Sequence, residues 1–177
     1  MVNYQFRLMA ADDTYVRLDS LKCSIQVQYD RARSFEVGVE FCELVNGECS
    51  GRVPFNLGEV LRECGAQDVH AASFFQSRDL LQVRGYLIDV VDRLLEYCEP
   101  VLKGDHHRFE AVRRRRTLES ADYTRRIRLQ SVRAEAHAAW QARRYGQFVL
   151  LFEEFMDLLP KSDRKKLEYA KEKLSNL

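Results

Sequence analysis

The sequence has little of what marks membrane, secreted or disordered proteins. No run of apolar residues approaches the roughly 20 needed to span a bilayer. The start, MVNYQFRLMAADD, lacks the long apolar core of a signal peptide. Only 3 Pro and 8 Gly occur among 177 residues, and the 46% of apolar residues can build a core, so long disordered regions are not expected. We therefore expect a cytoplasmic protein with no membrane partner.

Cysteines are few, odd in number and irregularly spaced. The 5 are Cys23, Cys42, Cys49, Cys64 and Cys98. In a reducing compartment they are expected to act as small buried apolar residues. Six residues separate Cys42 from Cys49, which is wider than the usual zinc knuckle of about two to four, and no second pair follows. No metal or other cofactor is expected.

Catalytic signatures are also missing. The chain has no G-x-G-x-x-G or Walker phosphate loop, and no Ser or Cys nucleophile with an evident base. Asp105-His106-His107 is the sharpest local cluster, but the only other His are His70 and His137, so a metal-ligand set is incomplete. We interpret the cluster as a polar loop before a helix. An enzyme is the less favoured class, although a dispersed acid–base site stays open.

The N-terminal third of the chain has a clear pattern, in which apolar and polar residues alternate with a period of two. This alternation predicts half-buried antiparallel strands. The predicted strands are residues 2–8, 14–18, 23–29 and 35–41, with a short edge strand at 52–55. Asp12-Asp13 and Asn46-Gly47 mark turns, and the two central strands form a hairpin.

Helical spacing follows. Asn56 and Glu59 stand in the positions of a capping box, and Gly65 is a C-terminal stop. Ser77 is expected to cap a longer helix that Pro100 and Gly104 end. Eight side chains are predicted to form its inner face against the sheet: Leu80, Leu81, Leu87, Val90, Val91, Leu94, Leu95 and Cys98.

Farther along the chain, two apolar stripes at helical spacing predict a helical hairpin. They are Leu129, Val132, Ala136, Ala139 and Trp140, then Phe148, Leu151, Phe152, Phe155, Leu158 and Leu159. The fold class is therefore α+β: a small antiparallel N-terminal sheet packed by helices, followed by an all-helical C-terminal half. We expect an α+β domain over residues 1–104 and a helical extension over 105–177.

Charge is unevenly distributed. The net charge is only +1, yet residues 105–144 hold eleven Arg against five Asp or Glu. A basic segment in a mildly acidic body points to an acidic partner or to internal pairing. The candidate binding residues are Arg113, Arg114, Arg115, Arg116, Arg125, Arg126, Arg128 and Arg133. The alternative is a solvated helix face with Glu110, Glu119, Asp122 and Glu135 as local partners.

The polar face of the sheet is a second candidate surface. Asn3, Gln5, Ser24, Gln26, Gln28, Glu36 and Glu40 are predicted to stand there. Such a face fits a hydrophilic protein partner, and it equally fits plain exposure to solvent.

Two functions compete. The first is a non-enzymatic protein-binding module of the immunity-protein, antitoxin or adaptor kind, which uses a charged surface. The second is nucleic-acid binding, in which the Arg-rich helix contacts phosphates. A sequence pI near 7.6 disfavours the second, because dedicated nucleic-acid-binding domains usually have a pI above about 9. A homodimer is compatible with both.

Overall fold

The computed structural model describes residues 4–51 and 53–175, except the side chain of Ala71. An antiparallel, curled sheet is followed by a helical half, which confirms the predicted fold class. No helix in these ranges is long and apolar enough to cross a bilayer. The chain divides into two compact units, Met1–Arg116 and Thr117–Leu177. The domain boundary placed after residue 104 stays a prediction.

The sheet lies in the first unit and is antiparallel throughout. Its strands are β1 (Arg7–Ala11), β2 (Tyr15–Asp19), β3 (Cys23–Tyr29), β4 (Val37–Val45), β5 (Glu48–Cys49) and β6 (Phe55–Asn56). The strands follow one another in sequence order from β1 to β5, and β6 also pairs with β4. Neighbours in sequence are therefore neighbours in space, as short antiparallel connections require.

Short polar side chains close the turns between these strands. Asp12 accepts hydrogen bonds from the Thr14 amide and hydroxyl at 2.7 and 3.0 Å. Asp30 accepts three backbone N–H groups in the β3–β4 connection. Asn46 and Gly47 take φ of 55° and 82°, the conformation of a two-residue hairpin turn. The turns predicted at Asp12-Asp13 and Asn46-Gly47 are confirmed.

Strand register separates an apolar face from a polar face. Val27 stands opposite Val16 and Val39, and the neighbouring Gln26 stands opposite Arg17 and Glu40. A slip of one residue would exchange the two faces, so burial of the apolar side chains fixes the register.

The first strand differs from its prediction. The strand begins at Arg7, and Val2 and Asn3 lie outside the described residues. All five β1 residues are exposed, with Leu8 at 62%. An edge strand meets a neighbour on one side only, so its alternation does not guarantee burial. The short strand expected at 52–55 consists of Phe55–Asn56, and Arg52 lies outside the description.

Seven α-helices complete the described part. They are α1 (Leu57–Glu63), α2 (Val69–Ser73), α3 (Leu80–Tyr97), α4 (Glu99–Leu102), α5 (His106–Gln141), α6 (Tyr145–Phe152) and α7 (Lys161–Ser175), with a 3-10 turn at Glu153–Phe155. The capping box of α1 is confirmed: Asn56 accepts from the Glu59 amide at 2.9 Å and Glu59 accepts from the Asn56 amide at 2.8 Å. Gly65 has φ of 80°, as a helix stop requires.

Helix α3 departs from its prediction at both ends. Asp79, not Ser77, is the N-cap, and its carboxylate accepts from the Leu81 amide at 2.8 Å. The helix ends at Tyr97, before Pro100, which lies within α4. Proline is tolerated in the first turn of a helix because the amide there has no helical partner.

Each unit has its own apolar core. In the first unit Phe41, Phe55 and Phe109 are buried together with most of the apolar face of the sheet. In the second unit both predicted stripes contribute, through buried Ala136, Phe152 and other members. Val132 and Trp140 are half-buried at the margin of that core.

Candidate functional site

Arg116 is bound tightly within the first unit. Its guanidinium contacts both carboxylate oxygens of Glu59 at 2.6 Å and donates to the carbonyls of Val53 and Pro54 at 3.2 and 2.7 Å. It also lies 4.5 Å from the centre of the Phe55 ring. A planar guanidinium suits this combination of bidentate pairing and stacking. The side chain holds α5 against β6 and α1.

The neighbouring arginines divide into paired and unpaired side chains. Arg115 binds Glu63 at 2.8 Å. Arg113 pairs with Glu110 and approaches Glu43 at 3.5 Å. Arg114 is exposed and forms no ion pair within the described ranges. The four consecutive arginines therefore point in different directions, as successive positions on a helix must.

In the second unit, Arg125 and Arg128 meet acids that the sequence did not suggest, whereas Arg126 meets the local partner Asp122 that it did. Arg125 forms a bidentate pair with Asp157 at 2.6 and 3.1 Å, and Arg128 binds Glu154 at 2.9 Å. Arg126 pairs with Asp122 one turn away at 2.7 Å. Such exposed pairs contribute about 0–1 kcal/mol each, so these side chains can change partner.

Arg133 completes the candidate set and differs from the rest. It is half-buried, and its Nε atom is buried without a hydrogen-bond partner among the described residues.

A buried carboxylate on β4 was missed by the sequence interpretation. Glu43 is 6% exposed. It lies 2.6 Å from His106 Nδ1 and accepts from the Ser50 hydroxyl at 3.0 Å. Burial opposes ionisation of Glu43, but hydrogen bonds from His106, Ser50 and Arg113 outweigh it and hold its pKa below the ordinary value. The same hydrogen bond, with the charge of Glu43, raises the pKa of His106.

The geometry around Glu43 is that of an ion-pair cluster. Ser50 and His106 both contact the carboxylate, and within the described residues no hydrogen bond joins the serine hydroxyl to the imidazole. The serine hydroxyl therefore has the Glu43 carboxylate, and not the His106 imidazole, within hydrogen-bond reach. The signal missed in the sequence was a Glu at an inward position of a strand.

The cluster Asp105-His106-His107 starts a helix and is not a loop, which corrects the prediction. Asp105 accepts from the His107 amide at 2.9 Å, the bond of a helix N-cap, and α5 begins at His106. Within the described ranges, no group of three or more His, Cys, Asp or Glu is placed to hold a metal ion.

The cysteines differ in part from their prediction. Cys23 and Cys98 are buried and Cys64 is half-buried, as expected of small apolar residues. Cys42 and Cys49 are instead paired as a disulfide with Cα atoms 5.5 Å apart, and Cys49 is exposed. The β4–β5 hairpin brings these two residues together.

The polar sheet face is less exposed than an interaction surface requires. Ser24 is fully buried, and Gln26 and Glu40 are half-buried. Gln5 and Gln28 are exposed, and Asn3 lies outside the description. Arg17 and Asp19 extend the face and bind one another at 2.8 Å.

Helix α3 carries a second apolar face, of which the sequence prediction assigned Leu80 and Leu81 to the core and did not consider Ile88. Leu80 and Leu81 are 69% and 76% exposed, and Ile88 is 52% exposed. The buried face instead includes Val83 and Tyr86, which the prediction omitted. An open groove runs along the outer side past Arg84 and Asp92. The apolar positions of α3 are too many for the sheet to cover all of them.

A cavity of about 410 Å³ lies between the apolar face of the sheet and α3. The strands contribute Val16, Leu18 and Val27 to its wall, and α3 contributes Val90 and Leu94. The three strand residues are only half-buried, although they stand on the core face. The helix therefore covers this part of the sheet without filling the space above it.

Comparison of the chain with protein-family models, curated proteins and solved structures finds no match. Conclusions about function rest on the surfaces and the cavity described above.

Proposed function

We propose that this chain is a non-enzymatic protein-binding module whose contact surface is the outer face of α3. The observation that carries the proposal is the exposed row Leu81, Ile88 and Leu95, at 76%, 52% and 39% exposure. These residues recur every seven positions, the spacing with which a helix meets a second helix. An exposed apolar row of this kind favours association, because burying a Leu or Ile contributes about 1.5–3 kcal/mol.

The partner that this face fits is a second copy of the same chain. Leu81 and Leu95 lie at equal distances on either side of Ile88, and so do Arg84 and Asp92. In an antiparallel pair with a two-fold axis at Ile88, Leu81 meets Leu95 of the second copy and Arg84 meets Asp92. Neither Arg84 nor Asp92 forms an ion pair within the described residues, so both are available for that contact.

Site-directed disulfide trapping tests this arrangement. Ile88→Cys places identical thiols on the proposed axis, so mild oxidation should yield a covalent dimer at low protein concentration. Asp89→Cys is the matched control, because residue 89 is exposed on another side of the same helix. Equal cross-linking of the two variants would contradict the proposed axis.

The Arg-rich helix remains the proposed contact for a different, acidic partner in the manner of an immunity protein, antitoxin or adaptor. Arg114 supports this, because it is exposed and unpaired among the described residues. Arg126 and Arg128 add exposed cations with side-chain exposures of 65% and 61%. Nucleic acid is the second candidate partner, since the same cations could contact phosphates.

Affinity capture from native lysate separates these partners. Wild type is compared with the triple variant Arg114→Ala, Arg126→Ala and Arg128→Ala, with and without nuclease. A protein that survives nuclease and is lost in the variant supports recognition of an acidic protein. Nucleic acid alone, lost in the variant, supports the second candidate. Capture of neither, with Ile88→Cys trapping intact, leaves self-association as the activity.

A further inference from the structure

We infer that the cavity between the sheet and α3 binds a single-chain anionic amphiphile of the fatty-acid type, a function distinct from the association proposed above, although Leu95 of the contact row also lines this cavity. The cavity volume of about 410 Å³ falls within the range of small-molecule sites, roughly 300–1,000 Å³. All of its lining residues are apolar except Tyr4, which has a phenol. The wall therefore fits a hydrocarbon chain.

Water is a poor occupant of such a space. A buried water needs about two to four polar partners, and the hydrocarbon side chains of Val16, Leu18 and Val27 supply none. An empty cavity forfeits the dispersion contacts that close packing would give. A hydrocarbon ligand restores those contacts without leaving a polar group unpaired.

A smaller pocket beside the cavity indicates where the charged end of the ligand binds. This pocket, of about 200 Å³, shares Tyr4 and Leu102 with the cavity. Its other lining residues include Lys22 and Lys103, so a chain that lies in the cavity can direct a carboxylate toward these two lysines. Lys22 is exposed, and Lys103 pairs with Glu99 in an exposed contact that a ligand can displace.

The cavity and the two lysines predict which ligands bind. The apolar wall binds the chain whatever its head group, whereas the two lysines favour a carboxylate over a neutral alcohol. A polar molecule without a chain gains nothing from the cavity. Charge and chain therefore contribute through separate residues, and each can be removed alone.

Isothermal titration with dodecanoate and with dodecan-1-ol, both below their aggregation concentrations, tests the inference. Wild type should bind one dodecanoate saturably and dodecan-1-ol more weakly. The double variant Lys22→Gln with Lys103→Gln should weaken dodecanoate binding by about tenfold and leave dodecan-1-ol unchanged. Lys165→Gln, an exposed lysine of α7, is the matched control and should bind as wild type does.

Filling the cavity should abolish binding of both molecules. Val27→Phe places a phenyl ring in the cavity, and Val16→Phe does so from the neighbouring strand. If circular dichroism shows that one variant does not fold, the other replaces it. Leu118→Phe, at an exposed position of α5, controls for the added ring. Absence of saturable binding to wild type, or unchanged binding in a folded cavity-filling variant, would overturn the inference.

Discussion

At the scale of single residues, the ion pair of Glu43 and His106 makes the stability of the first unit depend on pH. The pKa of Glu43 is lowered, so its contribution to the free energy of unfolding is complete above the ordinary pKa of 4.5 and is lost as pH falls through the lowered pKa. The pKa of His106 is raised, so its contribution is complete below the ordinary value of 6.5 and is lost as pH rises through the raised pKa. The pair is therefore fully effective between those two ordinary values.

We expect the stability lost on Glu43→Gln to be greatest in that window. Urea unfolding of wild type and variant across a pH series measures the difference in the free energy of unfolding. His106→Gln should remove the alkaline limb of the difference and leave the acidic limb. A difference that does not change with pH would show that the Glu43–His106 contact contributes no linked protons.

Arg116 and Arg114 provide a comparison of two arginines on one helix turn. Arg116→Ala removes the bidentate contact with Glu59 and leaves that carboxylate, 17% exposed, without its arginine partner and with the Asn56 amide as a donor. We expect a loss of about 2 kcal/mol in the free energy of unfolding. Arg114→Ala should change it by less than about 0.5 kcal/mol, because the side chain is exposed and unpaired among the described residues. Chemical denaturation of both variants measures the difference, and equal losses would contradict it.

At the scale of secondary-structure elements, the sequence predicted correctly those features that depend only on residues close together in the chain. The capping box at Asn56 and the alternation of β3 and β4 depend on residues a few positions apart.

Replacing Asn56 with Ala should cost about 1 kcal/mol of stability, measured by thermal or urea unfolding, with Gln130→Ala on the exposed face of α5 as control. No loss beyond the control would show that α1 does not depend on its cap.

The features that were missed depend on residues distant in sequence. Periodicity showed that α3 is apolar over much of its circumference, but it does not report how wide a face the sheet can cover. Leu81 was therefore assigned to the core, whereas Tyr86 was omitted from it. The acids that bind Arg116 and Arg125, Glu59 and Asp157, lie on other elements, and nothing in a local pattern links them.

At the scale of the whole molecule, each unit closes its own apolar core, and the first unit carries both proposed binding features. The outer face of α3 is a surface for a second chain, and the cavity on its inner side is a space for a ligand. Leu87 and Val91 line both the groove and the cavity, and Leu95 of the contact row also lines the cavity. Variants that test one feature are therefore placed at residues that do not line the other.

The most direct test of the protein-binding proposal is a charge-exchange cycle followed by sedimentation equilibrium. Wild type should dimerise. Arg84→Asp and Asp92→Arg should each weaken the dimer by at least about tenfold, because each variant places like charges together at two symmetric contacts. The double variant should regain the affinity, since the exchanged charges meet in the same antiparallel register. A wild type that stays monomeric, or a double variant weaker than either single one, would contradict self-association through α3.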